Sequence, residues 1–361
     1  MTFDQSSFSR RRFLLSGAPV IALGLEALAL PNAAHAQKSD SSKAVSTKPK
    51  VWSSEYWAKR GEVTLSLFRK RVGDPQSSQA KLPVLFLAHG SSVSSRPSFD
   101  LTVPGHGEYS LMDVFAGYGF DVWTMDFEGY GKSSKTDGNS DIATGILDLK
   151  AAAEVVQRET GQQSFHLYGE SSGALKAAAF AMAEPQKVQR LVLLSFTWTG
   201  QGSSTLAKRA DSVDYFRTHN RRPRDREMIR SIFTRDKPGT SEPAVAEAMA
   251  DAELQYGDSV PTGTYLDMTT RLPVVDPLKV QSPVLIARGE YDGIASEEDL
   301  QNFFRKLPVP DRQFAVLPGA AHSVALGINR EQFWHVMRSF LEMPPRLDSQ
   351  KLSAQKLDVR K

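Results

Sequence analysis

Three residues of this chain have the types and spacing for nucleophilic chemistry. Ser171 stands in Gly169-Glu170-Ser171-Ser172-Gly173, directly after the apolar run Phe165-His166-Leu167-Tyr168 and before an alanine-rich stretch from Ala174 to Ala183. That is a G-x-S-x-G pattern between an expected strand and an expected helix. A serine pushed out of so sharp a turn sits on strained backbone, so only small residues fit two positions to either side. Its hydroxyl becomes a useful nucleophile only when a base takes its proton, and the base must be held in one tautomer by an acid. Downstream, Val284 to Ala287 leads past Arg288-Gly289-Glu290-Tyr291 to Asp292, and Phe314 to Leu317 leads past Pro318-Gly319-Ala320-Ala321 to His322. Each run reads as a strand ending in a chemically useful side chain. Asp292 and His322 are about one strand–helix–strand unit apart, so both can reach the sheet edge where ligands bind in such folds. Glu290 is the competing acid. Among rival histidines, His166 lies inside a strand, His335 inside the last helix and His219 in an irregular region, while His106 follows the first buried strand and is a candidate to line the pocket.

Charge developing on a substrate oxygen calls for backbone N–H donors. The N–H of Ser172 is one candidate. Ser91, in His89-Gly90-Ser91-Ser92 after the run Val84 to Ala88, is the other. Phe196 and Trp198 at the end of the sixth expected strand, with Tyr291 beside the acid, are candidates to hold an apolar acyl or aryl group. The run Arg221-Arg222-Pro223-Arg224-Asp225-Arg226 reads most simply as a solvated basic face, with contact to a carboxylate or a lipid headgroup as the alternative. No phosphate-binding glycine loop or histidine–carboxylate metal cluster stands out, so neither cofactor nor metal is expected.

Those residues need a scaffold, and the chain supplies one by alternating strand and helix. Val63, Leu65 and Leu67 alternate with polar residues, as in a half-buried strand. Pro83 to Ala88, Phe120 to Met125, Phe165 to Tyr168 and Val188 to Leu194 are continuous apolar runs, as in strands buried on both faces. Between them Ile142, Ile146, Leu149, Ala153 and Val156 recur at helical spacing, and further strands (Pro283 to Ala287, Gln313 to Leu317) and helices (Glu297 to Leu307, Glu331 to Met343) follow. The reading is an α/β fold, a mainly parallel sheet with helices on both faces. Residues 51–196 and 272–345 form its two parts, and residues 197–271, without buried-strand runs, form a helical insertion or cap.

The 361 residues are 40% hydrophobic and 24% charged, ordinary globular composition that excludes a disordered or fibrous chain. Lys plus Arg number 44 against 41 Asp plus Glu, a net charge of +3, too small to make nucleic acid the default partner. The absence of cysteine excludes disulfides, thiolate metal sites and a cysteine nucleophile. Arg10-Arg11-Arg12 before the apolar stretch Phe13 to Leu30, with Ala34 and Ala36 at signal-peptidase spacing, reads as a cleavable export signal over residues 1–36, cut after Ala36. Periplasmic or secreted localisation without lasting membrane insertion is therefore expected. Residues 37–50 read as a polar lead-in, and 346–361 as a polar tail. A small molecule is the expected partner, and the oligomeric state is left open.

Taken together, His89-Gly90, Asp126-Phe127-Glu128-Gly129-Tyr130-Gly131-Lys132-Ser133, the turn at Ser171, Asp292 and His322 make the chain resemble the α/β-hydrolase superfamily, in particular its lid-bearing esterase and lysophospholipase-like members. The amino-terminal arginines resemble a twin-arginine signal. The superfamily resemblance implies an eight-stranded sheet with a cap after the sixth strand, and the roles of nucleophile, acid and base for Ser171, Asp292 and His322. With the export signal, the expectation is an exported serine hydrolase acting on carboxylic esters. Amide, lactone or carbon–carbon bond hydrolysis, acyl transfer, and a non-catalytic binding protein are the alternatives. Glu128 departs from the pattern, since arginine is common there in the family.

Overall fold

The computed structural model describes residues 50–76 and 81–344; the expected signal and tail, and all but the last residue of the lead-in, lie outside the described residues. Among the described residues ten strands form: β1 (Val51–Arg60), β2 (Val63–Val72), β3 (Val84–Ala88), β4 (Asp121–Met125), β5 (Phe165–Glu170), β6 (Val188–Leu194), β7 (Arg221–Pro223), β8 (Ser259–Pro261), β9 (Val284–Gly289) and β10 (Arg312–Leu317). Eight of them build one sheet in the order β1-β2-β4-β3-β5-β6-β9-β10. The β1–β2 and β2–β4 pairs are antiparallel and the remaining pairs are parallel. This is the mainly parallel eight-stranded α/β-hydrolase sheet that the resemblance implied.

The helices are α1 (Ser95–Phe99), α2 (Leu111–Gly117), α3 (Ile142–Thr160), α4 (Ser172–Ala183), α5 (Ser204–Arg209), α6 (Val213–Thr218), α7 (Arg226–Thr234), α8 (Pro243–Glu253), α9 (Gly263–Thr270), α10 (Glu297–Lys306) and α11 (Arg330–Leu341). Local chemistry sets their ends. Asp141 caps α3 by accepting from the Thr144 amide at 2.8 Å, and Gly161 closes it with φ +68°.

Because successive strand side chains face opposite ways, β3 divides its residues between two cores. Val84, Phe86 and Ala88 pack with α3, α4 and α10 through Leu149, Leu175 and Phe303. Leu85 and Leu87 pack with α2 and α11 through Phe115, Phe333 and Met337. A third cluster joins α7 and α8 (Ile229, Phe233, Val245, Met249) to Leu101, Val103 and Tyr109 of the loop between α1 and α2. No described helix is long and apolar enough to cross a membrane.

Two expectations change. β2 is buried on both faces rather than half-buried, since its polar residue Arg69 is neutralised inside by Asp121, with Nε–Oδ1 at 2.8 Å. The segment between β6 and β9 is not purely helical: β7 and β8 pair there as a short antiparallel ribbon. β1 carries no continuous apolar run and was not anticipated; it is an edge strand with mostly intermediate and exposed positions.

Candidate active site

Ser171 sits between β5 and α4 with φ +54° and ψ −124°, a conformation L-residues rarely adopt. The flanking glycines make that turn possible. A Cβ on Gly169 would lie 2.4 Å from the Gly173 carbonyl oxygen, and one on Gly173 would lie 2.3 Å from the Ala88 carbonyl oxygen. The G-x-S-x-G spacing is thus a packing requirement between β3, β5 and α4.

The parallel strands end on one edge, and that edge gathers the three residues. His322 Nε2 is 3.0 Å from Ser171 Oγ, and His322 Nδ1 is 2.9 Å from Asp292 Oδ1. The Asp292 side chain is fully buried. Burial alone would raise its carboxyl, but His322 and the Ala295 and Ile294 amides together bring it down to about 2. It therefore stays ionised at any ordinary pH and holds the imidazole's Nδ1 as the donor, leaving Nε2 to accept the serine proton. Glu290, the competing acid, points elsewhere and accepts from the Gly319 amide at 2.8 Å. Ser195, at the end of β6 with φ +51°, donates to the His322 carbonyl at 2.9 Å and fixes the histidine loop.

The two candidate oxyanion donors flank Ser171. Ser172 begins α4, so its amide has no intrahelical acceptor. Gly90 packs so closely that a Cβ on it would be 3.3 Å from Ser171 Cβ, which brings the Ser91 loop against the nucleophile. Tyr130 Oη donates to the Ser91 carbonyl at 2.9 Å from the sheet side, and Tyr265 Oη does so at 3.3 Å from the insertion. Behind this loop His89 is completely buried and accepts from the Phe127 amide. Burial, with nearby Lys176, drives its imidazole down to about 3, so it is a neutral structural side chain.

A cavity of about 70 Å³ opens over Ser171 and His322, lined on the apolar side by Val93, Ile232, Phe233, Met249 and Leu326. A larger one of about 570 Å³ lies beyond it inside the insertion and shares Ser92, Arg209, Ile232 and Arg235 with the first. The expected pocket aromatics divide. Tyr291 lines the larger cavity. Phe196 is fully buried against Phe303, and Trp198 packs on Phe303 while donating to the Val275 carbonyl, so both belong to the core. His106 pairs with Glu242 on the outside and lines neither cavity. Phe196 and Trp198 turn inward because a strand end offers as many core-facing as pocket-facing positions.

Three residues entered the site without any signal in the sequence. Glu170 lines the small cavity, and burial raises its carboxyl to about 7 against the opposing hydrogen bond from Tyr168 Oη at 2.9 Å. Asp236, contributed by the insertion, comes within 4.8 Å of Asp292 and His322 at one ligating atom each. Its carboxylate is already engaged by Arg235, with Nε–Oδ1 at 2.9 Å, and Asp292 Oδ1 by His322 and two amides, so the cluster is an ion-pair network around the histidine. Arg209, the third, reaches the same cavity from α5. The Glu128 departure also resolves: its carboxylate pairs with Arg60 of β1, a residue far away in sequence.

The family described as serine aminopeptidase, S33, matches residues 104–327. The 2-hydroxy-6-oxononadienedioate/2-hydroxy-6-oxononatrienedioate hydrolase of Paraburkholderia phymatum is 34% identical over 93 residues, which are 24% of this chain and 29% of that protein. The match therefore spans less than a third of that relative's length. Among solved structures, a hydrolase from Pseudomonas aeruginosa PA01 superposes with a TM-score of 0.61 at 18% identity, covering 80% of this chain and 98% of that one. A thermophilic esterase from Thermogutta terrifontis gives a TM-score of 0.57 at 21% identity over 80% of this chain and 98% of its own. At these identities the structural likeness speaks for the fold.

Proposed function

The chain belongs to this S33 family of the α/β-hydrolase superfamily, and from that premise we propose that it is an exported serine hydrolase cleaving carboxylic esters through an acyl-enzyme. The observation that carries the reading is the continuous hydrogen-bonded chain Ser171–His322–Asp292 on a serine held at positive φ. In this mechanism His322 Nε2 takes the Ser171 proton as Oγ attacks the ester carbonyl, and the tetrahedral oxyanion is met by the amides of Ser172 and Ser91. The imidazolium returns its proton to the departing alkoxide, leaving the acyl group on Ser171. Water, deprotonated by the same nitrogen, then attacks the acyl carbon and releases the acid. Asp292, ionised throughout, stabilises the imidazolium in both halves. The insertion acts as a lid whose Ile232, Phe233 and Met249 exclude water from the acyl group. Export rests on the arginine-led apolar stretch at the amino terminus.

The test is a panel of p-nitrophenyl esters of increasing chain length run beside the matching anilides, together with fluorophosphonate labelling. Ester turnover with an adduct on Ser171 is expected. Turnover of anilides alone would replace the esterase reading by a peptidase one, and well-folded protein without an adduct would leave a binding protein.

A second reading is carbon–carbon bond hydrolysis on the same triad, favoured by the relative from Paraburkholderia phymatum. Its signature is loss of the absorbance of a 2-hydroxy-6-oxodienedioate with esters left intact.

A further inference from the structure

The larger cavity is unevenly charged. Lys208, Arg209, Arg222 and Arg235 line it against the single carboxylate of Asp236. Arg235 is engaged by that carboxylate, but the guanidinium groups of Arg209 and Arg222 meet no carboxylate or carbonyl among the described residues. Both lie against the ring of Tyr265 instead, at 5.0 and 4.9 Å from its centroid. Neighbouring arginines of the same segment are treated differently. Arg221 donates to the Ser259 carbonyl at 2.7 Å, Arg224 pairs with buried Glu253, and Arg226 pairs with Glu247 and Asp251 at 2.9 and 2.6 Å. Among the described residues Arg224, Arg226 and Arg235 meet carboxylates and Arg221 meets carbonyl oxygens, whereas Arg209 and Arg222 line the cavity without a counter-ion.

Arg209 and Arg222 are partly buried, and holding their like charges side by side costs free energy that an anion would recover. The strain registers on Arg209: burial first, then Arg235 and Arg222, bring its guanidinium down to about 10 although Tyr265 and Asp236 oppose them. The pair is also wired to the reaction centre. Tyr265, between the two arginines, shares a hydrogen bond of 2.9 Å with Ser92 Oγ and touches the Ser91 carbonyl, and Arg209 lines the chamber over Ser171 as well.

We propose that Arg209 and Arg222 form an anion subsite for a carboxylate at the far end of the substrate, so that the ester cleaved at Ser171 is the ester of a molecule bearing a free acid several atoms away. This deepens the serine-hydrolase reading and rests on it. A planar guanidinium fork favours a carboxylate, and a cavity of about 570 Å³ that adjoins the one over Ser171 through Ser92, Arg209, Ile232 and Arg235 has room for the connecting chain.

Two measurements separate the two ideas. Fluorophosphonate labelling of Ser171 reports on the hydrolase alone. Calorimetric titration with adipate, beside dimethyl adipate and inorganic phosphate, reports on the subsite whether or not turnover is seen. Adipate should bind, weaken as salt rises, and lose at least tenfold in affinity in Arg209→Met/Arg222→Met, with Arg209→Lys/Arg222→Lys falling between if the fork geometry matters; thermal unfolding checks that each variant is folded. In turnover, p-nitrophenyl half-esters of glutaric, adipic and suberic acids should exceed their neutral methyl diesters by about tenfold or more in kcat/KM, chiefly through KM. That ratio should collapse toward one in the double Met variant. For an acid on the alcohol side, the same ratio would appear with carboxyphenyl against carbomethoxyphenyl esters. Equal rates for charged and neutral partners in both series, a ratio that survives the double variant, or phosphate binding tighter than adipate would overturn the assignment.

Discussion

The sheet edge and the insertion handle charge in opposite ways. At the sheet edge the key groups find their partners within the protein: Asp292 Oδ1 accepts from His322 and two amides, His322 bridges Asp292 and Ser171, and His89 meets the Gly90 carbonyl and the Phe127 amide. The insertion satisfies Arg224 through Glu253, which also accepts from the Ser94 amide and hydroxyl at 2.9 and 2.6 Å, yet leaves Arg209 and Arg222 with only an aromatic face. Groups that make and break bonds need a fixed protonation state and a fixed position, which prearranged partners supply. Groups that recognise an anion work best when their last partner is the ligand. The difference therefore divides the molecule into a reacting part on strand ends and a selecting part on inserted helices.

That division can be broken most sharply at the sheet edge. Ser171→Ala or His322→Ala should each lower kcat/KM for an ester by about 10⁴-fold or more while circular dichroism and thermal unfolding stay close to the parent, and substantial activity in either would reject the reading. Next come the two arginines that sit two residues apart. Arg224→Met strands the Glu253 carboxylate in the interior and should cost about 3–5 kcal/mol in urea unfolding, whereas Arg222→Met loses no ion pair and should stay within about 0.5 kcal/mol. Similar losses at both positions would mean that Arg222 is structural after all.

A smaller effect concerns Glu170. Its carboxyl keeps its proton in the folded chain up to about pH 7, against 4.5 ordinarily. The folded state thus binds more protons across that window, and stability falls as pH rises from 4.5 through 7. Glu170→Gln removes this slope. It should match the parent near pH 4.5 and exceed it at pH 8, by at most about 3 kcal/mol. Identical pH dependence in both proteins would show the carboxyl to be solvated. Smallest is the response of Asp292: with its carboxyl brought down to about 2 from 3.8, the stability its own ionisation contributes is lost only as pH falls from about 4 toward 2, and across that window urea unfolding of the parent should converge toward that of Asp292→Asn.

The sheet was legible because burial on both faces demands unbroken apolar runs, and β3, β4, β5, β6 and β9 supply them. β1 escaped because an edge strand tolerates polar residues, and β7 and β8 escaped because three-residue strands have no period to detect. At the site, Ser171, Asp292 and His322 were readable as positions because each follows an apolar run at a distance fixed by the strand's exit. Phe196, Trp198 and His106 were misplaced, since residue type alone does not say which side of a strand end faces the cavity.

The alternation of strand and helix, the glycine-flanked serine and the order of the three reactive residues follow from residue order alone, because these depend on local sterics and on the periodicity of burial. Tertiary structure alone decided that Glu170 is held near neutrality, that Asp236 reaches the histidine, and that two arginines of one basic run are neutralised differently. Those outcomes depend on which distant groups meet across the chain, Glu253 for Arg224 and Tyr265 for Arg222, and a charge's state is set by its neighbours in space.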